Sequence, residues 1–168
     1  MSALSVKKVA EPQSFGAALA HRIPVATGFW LLFFFRFPPA MNVHVLPRTD
    51  LVMAMGACVC VAGLLITIWA RLTLAGNWSS DVTFKQGHEL IRKGPYQYVR
   101  HPIYTGLLVM SLGAAIWATH LHCWLGLIVM GIGFWIKLSQ EERLLSRHFP
   151  DQYPQYRQEV KALVPWVL

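Results

Sequence analysis

HPIYTGLLVMSLGAAIWATHLHCWLGLIVMGIGFWI, residues 101–136, runs for 36 positions without an Asp, Glu, Lys or Arg. As one helix it would be about 54 Å long, far more than the ~30 Å of bilayer hydrocarbon. Thr119, His120 and His122 mark the break. The stretch therefore predicts two antiparallel membrane helices, over about 103–118 and 121–138, joined by a tight turn. Two further charge-free runs, 23–35 and 51–70, predict spans at about 23–37 and 51–70. The expected fold is all-α, a polytopic membrane bundle of about four transmembrane helices followed by C-terminal amphipathic helices. Composition agrees: 55% of residues are hydrophobic and 14% charged, against roughly 25% charged in a soluble domain.

The ends of these spans carry their own signals. Pro24 suits a first helical turn, and Pro38-Pro39 stops the run, with Arg36 able to snorkel to the interface. Thr49 or Asp50 can cap the second span. Residues 1–22 read as a polar arm without the features of a signal peptide. Beyond residue 138 the tail is amphipathic: Leu144, Leu145 and Phe149 share a helical face, and Pro150 ends that helix. Asp151 can cap a second short helix to about residue 161, and Trp166 suits headgroup depth. Glycines recur seven residues apart as Gly56/Gly63, Gly106/Gly113 and Gly126/Gly133, so the last three spans each present a smooth stripe for close packing. Cys58, Cys60 and Cys123 fall within apolar runs and read as small fillers.

The net charge of +7 does not indicate nucleic-acid binding, because the basic residues lie between apolar runs and at their ends. With the N-terminus in the cytoplasm, the inner segments hold 13 of the 15 basic residues and leave only Arg36 and Arg48 outside. Both termini and the loop 71–100 are thus expected on the cytoplasmic side, in a bacterial cytoplasmic membrane.

Chemistry concentrates where that loop becomes a helix, in RKGPYQYVRHPIYTG, residues 92–106. Pro102 fixes a helix start, whose free N–H groups and partial positive charge favour an anion. Arg100 adds charge there, and Tyr96, Tyr98, His101 and Tyr104 add faces that stack on a heterocycle or a cation. Glu141-Glu142 supplies the opposite charge where the fourth span ends. Lys137 and Arg143 are candidate local ion-pair partners, and a cationic ligand group is the functional alternative. A ligand with a carboxylate, an ammonium and an aromatic base, such as S-adenosylmethionine, would satisfy all of these groups.

The run His88-Glu-Leu-Ile-Arg-Lys-Gly-Pro-Tyr-Gln-Tyr-Val-Arg-His-Pro-Ile-Tyr-Thr-Gly106, the pair Glu141-Glu142 with Leu145, and Phe149, Tyr153 and Tyr156 resemble the isoprenylcysteine carboxyl methyltransferase and phospholipid methyltransferase superfamily. The resemblance covers about residues 71–165. It implies an S-adenosylmethionine pocket in residues 71–168, lined by His88, Glu89, Leu90, Ile91 and Tyr96. His101, Pro102, Ile103 and Tyr104 would wall its helix entrance, and Glu141 would bind the cofactor. Lys137 stands where the carboxyl methyltransferases carry an arginine for the acceptor carboxylate, and a lysine keeps the charge without the bidentate fork.

The expected function is S-adenosylmethionine-dependent methyl transfer to a lipid-like acceptor, such as an isoprenylcysteine-type carboxylate, reached from the lipid bilayer. Arg100, His101, Tyr104 and Glu142 are the candidate catalytic residues, and Lys137 the candidate acceptor ligand. A phospholipid amine N-methyltransferase is one alternative, and would need a base from Glu142, His101 or a tyrosine. An NADPH-dependent enzyme resembling sterol reductases is a second, although those carry an asparagine where Pro102-Ile103 stand and an acid at Leu107. A non-catalytic membrane adaptor is the third. No metal is expected, since His120 and His122 lack acidic or cysteine partners. His21, His44 and His148 read as interface residues.

Overall fold

The computed structural model of the protein describes residues 9–11, 14–39, 42–74, 84–85 and 90–165. His88, Glu89 and Trp166 lie outside them. Four long helices form the body: α1 Phe15–Phe33, α2 Asp50–Leu74, α3 Pro102–Ala118 and α4 Leu121–His148. A short α5, Tyr153–Glu159, follows, and a 3-10 turn, Gly94–Gln97, precedes α3. Outside the helices, β1 Val9–Glu11 and β2 Phe84–Lys85 pair as a minimal antiparallel ribbon.

The helices alternate in direction. α2 lies along α3, α1 lies along α4, and α3 against α4 joins the two pairs. Glycine sets both close contacts. A Cβ on Gly63 would sit 2.4 Å from the Met110 nitrogen, and one on Gly113 2.4 Å from the Cys60 nitrogen, so α2 and α3 touch backbone to backbone. The Gly126/Gly133 stripe serves a different partner from the α2–α3 seam. A Cβ on Gly126 would meet the Gly28 oxygen at 2.7 Å, which places that stripe against α1. Gly28 completes the seam without a partner seven residues away.

α1 begins at Phe15, not near residue 23, and contains Pro24 in its interior. Ser14 caps it, accepting from the Ala17 N–H at 3.4 Å. The reason is tertiary. His21 is buried, not interfacial: its Nδ1 lies 3.1 Å from Gln140 Oε1, and Gln140 Nε2 donates to the Ala17 carbonyl at 3.0 Å. A polar pair across α1 and α4 thus extends the helix through residues whose composition reads as an arm. α4 likewise continues through residue 148, because the shift from apolar to charged residues at 137 brings no backbone breaker before Pro150. α5 is shorter than expected, and Gln152, not Asp151, occupies its N-cap.

Thr119 makes the α3–α4 turn in the left-handed conformation, φ 64°, fully buried. The α1–α2 connector lies over it: Val45 N–H donates to the Thr119 carbonyl at 2.8 Å, and Leu121 N–H donates to the Val43 carbonyl at 2.9 Å. His44 is exposed, and its Nδ1 sits 2.7 Å from Thr119 Oγ1.

The outer surface is apolar. Leu64, Leu65, Trp69, Ile128, Ile132 and Trp135 are all exposed. In the most apolar windows of α2 and α4 only 11% and 39% of residues are buried, the reverse of a soluble core helix. By length and composition α2 and α4 are able to cross a membrane, and α3 is a shorter apolar helix.

Candidate active site

The site forms where α3 begins and the last turns of α4 pass beside it. Pro95 sits in the 3-10 turn and Pro102 opens α3, while Gly94 takes φ 61°, a left-handed backbone that favours glycine. The backbone after α5 then lies along the helix start. Arg100 N–H donates to the Lys161 carbonyl at 2.8 Å, His101 N–H to the Ala162 carbonyl at 3.0 Å, and Thr105 Oγ1 to the Leu163 carbonyl at 2.7 Å. Residues 161–163 therefore roof the helix entrance.

Arg100 points inward. Its Nε donates to Glu142 Oε1 at 2.9 Å and its Nη2 to the same oxygen at 2.5 Å. Its Nη1 donates to the Arg157 carbonyl at 3.1 Å and to the Val160 carbonyl. Arg157 adds its Nε 3.5 Å from Glu142 Oε2. The pair Arg100–Glu142 is nearly closed to solvent, with side chains 7% and 10% exposed, and it clamps α3, α4 and the segment around α5 together. Among the described residues Glu142 thus pairs with Arg100 and Arg157, not with the adjacent Arg143, which donates to the Ser139 carbonyl.

His101 lies between both carboxylates, with Nδ1 3.5 Å from Glu141 Oε2 and Nε2 3.4 Å from Glu142 Oε1. Burial opposes charge on this ring, but the contacts with Glu141 and Glu142 outweigh it and hold its pKa above the ordinary imidazole value. Tyr104 stacks on His101 with ring centroids 5.7 Å apart and on Phe134 at 5.2 Å, and its hydroxyl donates to Glu141. Lys137 Nζ lies 5.2 Å from the Tyr104 ring centroid, a cation–π arrangement. Glu141 remains the more open of the two acids, its side chain 21% exposed.

Of the residues singled out from sequence, Arg100, His101, Tyr104, Lys137, Glu141 and Glu142 thus come together. Pro102 is buried under the entrance, and Ile103 packs beside the Tyr104 cluster. Tyr96 is buried at the edge, its hydroxyl 3.5 Å from the Ala70 carbonyl, and burial pushes its pKa up. Leu90 and Ile91 are half-buried, and Tyr98 faces outward at 52% exposure. Phe134, Arg157 and residues 161–163 also build the site. Tyr153 and Tyr156 are both nearly fully buried under it; burial comes first in raising the Tyr156 pKa to about 12, and its hydroxyl donates to the Tyr96 carbonyl at 2.5 Å. Their i, i+3 spacing was a visible signal, whereas nothing in the sequence around Phe134 separates it from neighbouring apolar residues.

Known proteins resemble this chain in sequence and in fold. The model of the isoprenylcysteine carboxyl methyltransferase (ICMT) family matches residues 54–147, which is more than half of the chain. A protein-S-isoprenylcysteine O-methyltransferase of Tribolium castaneum is 28% identical over 84% of this chain and 50% of its own length. Methanethiol S-methyltransferase 1 of Bradyrhizobium diazoefficiens is 42% identical over 42% of this chain and 24% of its own length. The chain therefore spans half, or less, of these relatives. The solved structure of the eukaryotic intramembrane Ras methyltransferase ICMT shares the fold, with a TM-score of 0.63 and 24% identity over 94% of this chain and 55% of that one. With that fold and its outward apolar helices, the molecule is an integral membrane protein. The chain belongs to the isoprenylcysteine carboxyl methyltransferase family.

Proposed function

We propose that the protein transfers a methyl group from S-adenosylmethionine to an anionic, lipid-like acceptor at the membrane surface. The reading takes all four long helices as membrane-crossing, with both termini and the site on the cytoplasmic side. When bound, S-adenosylmethionine supplies an electrophilic methyl carbon on a sulfonium. Glu141 fits its ammonium, since it is the acid of the pair with an open side, and Tyr104 and His101 fix that carboxylate from behind. The Tyr104 and Phe134 rings and the strap at 161–163 exclude water, while Leu90, Ile91 and Tyr96 extend the wall. Arg100 and Glu142 act as positioning residues that hold this wall rather than touching the reacting atoms.

One observation carries the acceptor class. His101 sits between two acids, with a ring nitrogen 3.5 Å from Glu141 and the other 3.4 Å from Glu142, and Glu142 is taken by Arg100. Both ring nitrogens are thus turned to carboxylates, and the cluster presents no free imidazole as a base. An acceptor that arrives as an anion needs none, which favours a carboxylate over a phospholipid amine. Lys137, beside Tyr104 and one turn before Glu141, is placed to meet that anion. A small thiolate acceptor is a second reading, favoured by local identities of 42% and 40% to methanethiol S-methyltransferases of Bradyrhizobium diazoefficiens and Mycobacterium tuberculosis.

The test is methyl transfer from radiolabelled S-adenosylmethionine by the purified chain in lipid nanodiscs. Label in an alkali-labile ester of an S-prenylcysteine supports the first reading, and label in dimethyl sulfide from methanethiol supports the second. Lys137→Met should abolish ester formation while leaving cofactor affinity near normal. Cofactor binding without transfer to any carboxylate or thiol would reject both readings.

A further inference from the structure

The other end of the bundle holds a second polar cluster, separated from His101 by the length of α3, about 25 Å at 1.5 Å per residue. There the α1–α2 connector lies over the α3–α4 turn, and between them is a cavity of about 360 Å³. Leu32 and Trp117 belong to its apolar wall, and Arg36, Arg48, His120 and His122 line it as well. No carboxylate among the described residues lines it. Among the described residues neither Arg36 nor Arg48 lies within ion-pair distance of an acid; Arg36 donates only to the Phe35 carbonyl at 3.2 Å.

His122 makes this more than a basic rim. It is fully buried, stacks on His120 with centroids 5.2 Å apart, and among the described residues neither ring nitrogen has a hydrogen-bond partner. The Nδ1 of His120 is buried and unpartnered as well. Every imidazole carries at least one N–H, so a buried donor here lacks an acceptor, a state native proteins rarely leave unfilled. Two guanidiniums without acids, one imidazole without any acceptor and the unpartnered Nδ1 of His120 surround the same space. The guest that answers all four is an oxyanion, and phosphate geometry suits the arginine fork.

We propose that this cavity binds a phosphate-class anion, with Arg36 and Arg48 on its oxygens, His122 and His120 donating from below, and Leu32 and Trp117 holding an apolar body attached to it. Because Trp117 is half-exposed on the apolar outer surface, that body is expected to be the glycerol and acyl portion of an anionic phospholipid. This site is independent of the methyl-transfer reading.

Native mass spectrometry of the full chain released from vesicles of equal phosphatidylglycerol and phosphatidylcholine tests it. One phosphatidylglycerol should be retained per chain in preference to phosphatidylcholine. Retention should fall at least about tenfold in R36Q/R48Q, as expected for loss of a charge-assisted contact. Both arginines are exposed, so the variant is expected to fold. Histidine side-chain NMR with ¹⁵N label should show the His122 signal, assigned by its loss in His122→Phe, moving when the lipid is added. If millimolar inorganic phosphate displaces the lipid and moves the same signal, the site stands and its natural guest is free phosphate. Equal retention of both lipids, retention unchanged in R36Q/R48Q, or a His122 signal that stays still would overturn the proposal.

Discussion

Glu141 and Glu142 are chemically identical neighbours with different surroundings. Glu142 is sealed by Arg100 and Arg157, whereas Glu141 keeps an open side beneath the Tyr104 hydroxyl. If that open carboxylate meets the cofactor ammonium, Glu141→Gln should weaken S-adenosylmethionine binding by about 1–3 kcal/mol in calorimetry. Unchanged affinity in a folded variant would remove Glu141 from the site. His101 adds a pH dependence. Its folded pKa lies above its ordinary 6.5, so its stabilisation is complete below about pH 6.5 and is lost as pH rises through the raised value. The melting temperature in detergent should therefore decline on the alkaline side, and His101→Asn should flatten that decline. An identical slope in the variant would show that His101 does not carry the effect.

At the scale of elements, two glycine seams hold the helices, and they differ from solvent-facing glycines in a way that can be measured. Gly63→Ala places a methyl 2.4 Å from the Met110 nitrogen and 2.6 Å from the Gly106 oxygen, so α2 and α3 must separate. A loss of about 1–3 kcal/mol is expected, the range for overpacking. Gly16 has nothing within 4 Å of the added Cβ, so Gly16→Ala should be neutral or stabilise by up to about 1 kcal/mol through helix propensity. Thermal unfolding of both variants checks this, and equal melting temperatures would mean that the seam tolerates separation. The same scale explains why α4 matters to the site. One unbroken rod carries both the apolar span and Glu141, so any tilt of the span moves the carboxylate.

For the whole molecule, the directions of the helices put residues 34–39, 42–49 and 119–120 at one end and the His101 site, with residues 149–165, at the other. Basic residues crowd the second end. With Cys58, Cys60 and Cys123 replaced by alanine, Gln97→Cys should react with an impermeant maleimide only after lysis, and Asn42→Cys in intact cells. Both residues are exposed. Labelling of Gln97→Cys in intact cells would reverse the orientation and place the site on the outer side.

The sequence by itself determined the helical class, the turn at Thr119, the positions of α2 and α3 within a few residues, and the helix entrance at Arg100–Tyr104. Each of these is written locally, in charge-free length, proline position or seven-residue glycine spacing. Only the tertiary structure decided that α1 starts at Phe15, because His21 becomes tolerable inside once Gln140 reaches it from α4. It alone decided that Arg100 closes on Glu142, that residues 161–163 roof the site, and that Arg36, Arg48, His120 and His122 surround one cavity. Those outcomes join residues far apart in the chain. No local pattern encodes them, since charge, hydrogen-bond capacity and cavity shape are settled only when the helices meet.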